Sequence, residues 1–173
     1  MESLSDQYFI KALDHYPRNL TETLESLNYA LSHNEDNAYA HFLMGRIYAE
    51  QIKDRINAEH YFQRAIACDI SQSQFYPYLI SAQIEIGKFE EALKTINYAL
   101  TLSSSNKGWV YWLQGFCFES MEEYEKAISS FKEAKKNAFN TYFLNDTKDQ
   151  IKRVKGKLHK SKKKKKKGKN KKK

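Results

Sequence analysis

The sequence predicts an all-α fold of stacked antiparallel helix hairpins, and three observations predict it. Ala30, Ala65, Ala99 and Ala134 lie 35, 34 and 35 residues apart, and Ala58, Ala92 and Ala127 lie 34 and 35 apart; a fixed period of that length marks stacked supersecondary units. Within a copy the apolar residues fall at helical spacing. In Gly87–Leu100, for example, Phe89, Ala92, Leu93, Ile96, Ala99 and Leu100 share one stripe, while Glu90, Glu91, Lys94 and Asn97 share the other face. Only two prolines and six glycines interrupt 173 residues, which favours helices throughout. Nine helices and no sheet are expected, and 41% hydrophobic residues are ample for one core.

In chain order, Tyr8, Phe9, Ile10, Leu13 and Tyr16 mark a first helix that ends before Pro17, because a residue preceding proline is steered away from helix. A second opens near Asn19 or Thr21 and carries Leu20, Leu24, Leu27 and Leu31. This pair, residues 1–35, is read as a degenerate cap, since a terminal unit faces solvent on one side and drifts from the pattern. The first clear repeat covers about 37–69, with Tyr39, His41, Phe42, Met44, Gly45 and Tyr48 on one helix and Ala58, Phe62, Ala65 and Ile66 on the next. Its link QIKDRIN is one residue longer than the link of the next unit, an insertion that leaves the packed faces unchanged. The second repeat, about 72–102, places Pro77 in a first helical turn and turns at Gly87. The third, about 107–137, holds Tyr111, Leu113, Gly115 and Phe118, then Tyr124, Ala127, Phe131 and Ala134.

These residues resemble the tetratricopeptide repeat family, whose pattern is W-x2-L-G-x2-Y, then A-x3-F and a later P. Gly45, Tyr48, Ala58, Phe62 and Ala65 fill its slots, as do Gly115, Phe118, Ala127, Phe131 and Ala134. The second unit departs, with Ile80 and Gln83 in the Gly and Tyr slots, and no unit keeps the closing proline. The resemblance implies a right-handed α-α superhelix of hairpins with a C-terminal capping helix. Residues 138–159, with Phe139, Phe143, Ile151, Val154 and Leu158 inward, are read as that cap, which spares the third repeat an apolar face in water.

Charge divides the chain sharply. Residues 152–173 hold 15 Lys and Arg and no acidic residue, leaving 14 basic against 21 acidic residues in positions 1–151. Residues 160–173 have no means of building a core and are expected to be a disordered poly-lysine tail. Its lysines, Lys162, Lys163, Lys164, Lys165, Lys166, Lys167, Lys169, Lys171, Lys172 and Lys173, suit nonspecific binding of nucleic acid or another anionic surface. Neutralising ~6 phosphates of a single strand implies a log–log salt slope near −4. No aromatic residue or arginine interleaves these lysines, so base reading is not expected. A solubilising or nuclear-targeting tail is the plain alternative.

The resemblance also implies where a partner protein would sit. In the family, the first helix of each hairpin lines a concave wall that takes peptides or partner helices. The wall positions here are Tyr39, Phe42, Arg46, Tyr78, Ser81, Trp109, Trp112 and Phe116. Trp109, Trp112 and Phe116 form one ridge at spacings of 3 and 4, a natural hot spot; the alternative is that the C-terminal helix folds back over it. The family's Lys and Asn clamp for chaperone C-termini finds Phe42, Arg46, Pro77, Ser81, Trp112 and Phe116 in its slots, with only Arg46 able to grip a carboxylate. An apolar or amphipathic segment is therefore the expected ligand.

Other chemistry is not indicated. There is no nucleophile elbow, P-loop or HExxH, and His41 and His60 on one hairpin read as packing or surface residues, so no catalytic residue, metal or cofactor is expected. Glu50, Glu85 and Glu119 near the ends of first helices read as a solvated charge ring. Cys68 and Cys117 read as buried reduced thiols. With no leader-like N-terminus and no apolar run near ~18 residues, a soluble cytoplasmic protein, or a nuclear one in a eukaryote, is expected. The function read from the sequence is a non-enzymatic adaptor that binds a partner protein; its rival is a nucleic-acid- or ribosome-associated protein whose lysine tail is the main binding element.

Overall fold

Short polar side chains set where the helices begin. In the computed structural model, described for residues 3–170 and for side chains through Lys163, Ser3 and Asp6 form a reciprocal capping box at the start of α1 (Leu4–His15). Asn19, Asn37, Asp54 and Asn106 accept from first-turn amides of α2 (Leu20–His33), α3 (Ala38–Ile47), α4 (Arg55–Cys68) and α7 (Lys107–Ser120), satisfying donors that a helix start leaves open. A 3-10 turn at Ser73–Phe75 leads into α5 (Tyr76–Glu85), whose first turn carries Pro77. α6 (Phe89–Thr101), α8 (Tyr124–Lys136) and α9 (Thr141–Asn170) follow. Among the described residues these are nine α-helices and no strand, an all-α fold of the expected class.

The chain divides into two units, Met1–Ile86 and Gly87–Lys173. In the first, Ala12, Leu27, Ala30, Leu43, Met44 and Ile47 form one buried cluster, and Ala58, Phe62, Leu79 and Ala82 form a second. Glycine sets the approach of α3 to α4: a Cβ on Gly45 would stand 2.6 Å from the Phe62 ring. The second unit repeats the device, since a Cβ on Gly115 would stand 2.6 Å from Phe131.

The longer first link is absorbed by geometry. A π-helical turn, Tyr48–Ile52, widens the end of α3 and closes on Lys53 at φ 66°. Gly87 at φ 79° and Glu122 at φ 59° occupy the matching turn positions of the next two repeats. All three turns use the left-handed region, which only the middle one fills with glycine.

The lysine segment, expected as a disordered tail, is continuous with the capping helix. The backbone of α9 continues as helix from the capping segment through Asn170, so residues 160–170 are helical, and 171–173 lie outside the described residues. Lysine is among the better helix formers, and the costly first turn is already made where Phe143, Val154, Ile151 and Leu158 dock on the rest of the unit. Like charges at i,i+4 cost only tenths of a kcal/mol each (about 0.2–0.5), too little to end the helix.

Candidate functional site

Of the wall residues in the first unit, Phe42 is packing. It is half-buried, stacked on Phe75 at 4.5 Å and set edge-on to Tyr78 at 4.9 Å. Tyr39 is 41% exposed but leans on Phe75 at 5.4 Å and on Phe9 at 6.2 Å. Tyr78 keeps 38% of its surface open above Phe42 and Phe62. Arg46 lies 5.8 Å from the Tyr78 ring centroid and 5.4 Å from that of Tyr16.

Arg46 is not a free cation. Its Nε and Nη2 donate to the two carboxylate oxygens of Glu50 at 2.9 and 3.0 Å, and the Tyr16 hydroxyl donates to Glu50 at 2.9 Å. The Arg46 hydrogen bonds hold the Glu50 carboxyl below its ordinary range, against the opposing pull of burial. One turn on, a cleft of about 250 Å³ opens between the end of α3, α4 and α5. Phe62, Ala49 and Ala82 supply its apolar lining with Tyr78 and Ser81, and Glu50, Lys53, Arg55 and Glu85 its charges. Arg55 pairs with Glu85 and donates to the Ala49 carbonyl. The structure thus brings Tyr78 and Ser81 together at a cleft and sets Arg46 beside it, while Tyr39 and Phe42 contribute to packing. Lys53 in the link and Arg55 at the first position of α4 carry no periodic signal that marks a face; Tyr16 comes from the helix pair outside the full motif.

In the second unit the tryptophan ridge has an occupant, the chain's own α9, as the alternative reading anticipates. Trp109 and Trp112 stack at 4.8 Å, and Trp112 meets Phe116 edge-on at 4.3 Å. Phe143 of α9 sits 6.0 Å from Trp109 and 6.4 Å from Trp112, and the Trp112 indole N–H donates to Asp146 at 3.0 Å. The three ridge residues are half-buried. Glu119 corrects the solvated-ring reading: its side chain is only 7% exposed and takes both Arg153 at 2.6 Å and Lys157 at 2.7 Å from α9. The sequence places Glu119, like Glu50 and Glu85, near the end of a first helix but does not show that a basic helix turn would lie across it.

The thiols also differ from expectation in one respect. Cys117 is buried, with desolvation the main cause lifting its thiol to about 11, whereas Cys68 is half-buried. His41 Nε2 lies 2.7 Å from the Glu35 carbonyl oxygen, a structural contact. Among the described residues no group of three or more His, Cys, Asp or Glu could hold a metal ion, and no helix is long and apolar enough to cross a membrane.

Comparison with known proteins agrees with this architecture. The tetratricopeptide repeat family model matches residues 110–141. No curated protein sequence matches the chain. Similar solved structures include MamA, residues 41 to the end, from Desulfovibrio magneticus RS-1, with a TM-score of 0.68 and 18% identity over 92% of this chain and 94% of that one. The first tetratricopeptide repeat domain of human RPAP3 has a TM-score of 0.61 and 17% identity, covering 71% of this chain and 93% of that domain. The corresponding domain of Spaghetti (RPAP3), bound to the HSP90 peptide SRMEEVD, matches with a TM-score of 0.61 and 17% identity over 73% and 96% of the two chains. At these identities the likeness establishes the fold.

Proposed function

We propose that this chain, which has the tetratricopeptide repeat fold and carries a repeat of that family at residues 110–141, is a non-enzymatic cytoplasmic adaptor that binds a segment of a partner protein. The first unit takes that segment at the cleft beside Tyr78, and the lysine-rich end of α9 adds electrostatic attachment. The observation that carries the reading is the cleft: an apolar lining of Phe62, Ala49 and Ala82 under an open Tyr78, rimmed by charges of both signs. An exposed aromatic beside an apolar recess suits an anchor side chain, and the mixed rim suits a segment with its own polar face. A relative of the same fold holds an HSP90 peptide, which supports peptide binding as the class of activity. A carboxylate-gripping mode is disfavoured here, because Arg46 is already held in a two-point ion pair with the Glu50 carboxylate.

The test is site-specific photo-crosslinking. A crosslinker at Ser81 should capture a discrete protein partner, and one at Lys11, exposed on α1 away from the cleft, should not. Tyr78→Ala should abolish the capture with helical content unchanged by circular dichroism. Equal capture from both positions, or capture indifferent to Tyr78→Ala, would reject the cleft. Deleting residues 161–173 should leave it intact; its loss on deletion would favour the rival in which the lysines are the main binding element.

A further inference from the structure

We propose that the terminal turns of α9 form a sequence-independent binding site for B-form duplex DNA, lying as a helix in its major groove. The proposal rests on the reading of the lysine segment as an attachment element and names its partner. Leu158 is the last apolar residue of α9 packed against the core cluster of its unit. Residues 159–170 continue beyond it as helix, a projection of about 18 Å at 1.5 Å per residue. The projection holds His159, Lys160, Lys162 through Lys167 and Lys169, without an acidic or aliphatic residue or a Trp, Tyr or Phe. Lys160, Lys162 and Lys163 are exposed. One of them, Lys162, pairs with Glu125 at 3.1 Å, but both side chains are more than 60% exposed, and such a pair yields readily to salt or to a stronger anion.

Helix geometry selects among polyanions. Successive positions turn by about 100°, so eight lysine positions in eleven residues (160–170) spread around the whole circumference rather than along one stripe. A flat anionic lipid surface meets one side of such a helix and finds no apolar stripe to insert. A groove lined by phosphates on both walls meets all sides. The B-form major groove, about 12 Å wide, admits an α-helix, whereas the A-form groove of duplex RNA is too narrow for side chains to enter. Lysine offers a point charge instead of a fork and no Trp, Tyr or Phe stands among the lysines, so the contacts position the helix without reading sequence.

The experiment uses the full chain and fluorescence anisotropy. The probes are a random-sequence DNA duplex of about 24 base pairs, the same sequence as an RNA duplex, and phosphatidylcholine vesicles with about 30% phosphatidylserine. With about six phosphates neutralised, the DNA duplex should give a log–log salt slope near −5 and an affinity loss of about 10³-fold between 50 and 200 mM salt. Replacing Lys162 through Lys167 by glutamine, which preserves helix propensity, should weaken DNA binding by more than about 100-fold at 50 mM. Ser161→Pro keeps every charge but breaks the helix; it should weaken DNA binding and leave vesicle binding unchanged. Unaltered DNA affinity in Ser161→Pro, or tighter binding to RNA duplex or vesicles than to DNA, overturns the proposal while sparing the attachment reading. Failure to bind any of the three at low salt overturns both.

Discussion

The indole N–H of Trp112 donates to the Asp146 carboxylate at 3.0 Å, tying the ridge of α7 to the first turns of α9. Trp109 and Trp112 are the two tryptophans of the chain, and both lie beside Phe143 of α9. Tryptophan emission therefore reports the seating of this helix. Asp146→Ala should lower stability by about 1–2 kcal/mol, the scale of a hydrogen bond to a charged group left without its acceptor. Asp146→Asn, which keeps an oxygen acceptor, should cost less. Urea unfolding followed by fluorescence checks both, and an unchanged midpoint in Asp146→Ala would show that the bond contributes nothing to docking.

Acid should loosen the same helix through Glu119. Burial alone would raise its carboxyl, but the hydrogen bonds from Arg153 and Lys157 outweigh it and hold the group below its ordinary value. The contribution of a carboxylate depressed in this way is fully present above its unfolded value and is lost as pH falls through the folded one. Below about pH 4 tryptophan emission should shift red, and Glu119→Gln should remove part of that dependence. At neutral pH the variant should be less stable by about 1–2 kcal/mol, an amount reduced from the buried-pair range because Arg153 and Lys157 are partly exposed. Equal acid profiles for the two proteins would place the transition on other carboxylates.

What the sequence made legible follows from what repeats. Ala58, Ala92 and Ala127, each fully buried, recur at the same place in each second helix, where a small side chain suits close packing, and their spacing marks the hairpins and their phase. Wall and packing were harder to separate. Phe42 and Tyr78 look alike in a 3.6-residue pattern, and only the placement of Phe75 against Phe42 assigns one to packing and leaves the other open. Glu119 and Glu50 both lie near the end of a first helix, yet their fates differ because Arg153 and Lys157 arrive from a helix outside the repeat. For the lysine segment, composition describes a chain in isolation, whereas in the structure those residues follow directly on a helix already docked through Phe143, Val154 and Leu158.

Three glycines in the second unit should respond to alanine in three different ways. A Cβ on Gly108 would stand 2.3 Å from the backbone oxygen of Asn137, which has no rotamer through which to retreat. Gly108→Ala should cost about 3 kcal/mol or more. On Gly115 the Cβ would meet the Phe131 ring at 2.6 Å, and a ring tilt should limit the loss to about 1–3 kcal/mol. Gly156 has nothing within 4 Å and lies exposed in α9, so Gly156→Ala should stabilise by up to about 1 kcal/mol through helix propensity alone. Thermal melts of the three variants test the order, and a Gly108→Ala protein as stable as the parent would contradict the close approach of α7 to Asn137.

The left-handed turns supply the opposite experiment, in which glycine is introduced. Glu122 holds φ 59° between α7 and α8, and its N–H reaches the Glu119 carbonyl at 3.0 Å. A left-handed residue with a Cβ is strained by roughly 1–2 kcal/mol, while glycine gives back about 0.5–1 kcal/mol in unfolded-chain entropy. Glu122→Gly should therefore raise stability by about 0.5 kcal/mol. Gly87 already holds the matching position at φ 79° with open space around it, so Gly87→Ala should lose about 1 kcal/mol through backbone strain alone, with no clash to blame. A double variant separates conformation from context. These positions lie in different turns, so Glu122→Gly and Gly87→Ala should add within about 0.5 kcal/mol. A loss in Glu122→Gly would mean that the Glu122 side chain supports the turn by more than its backbone strain costs.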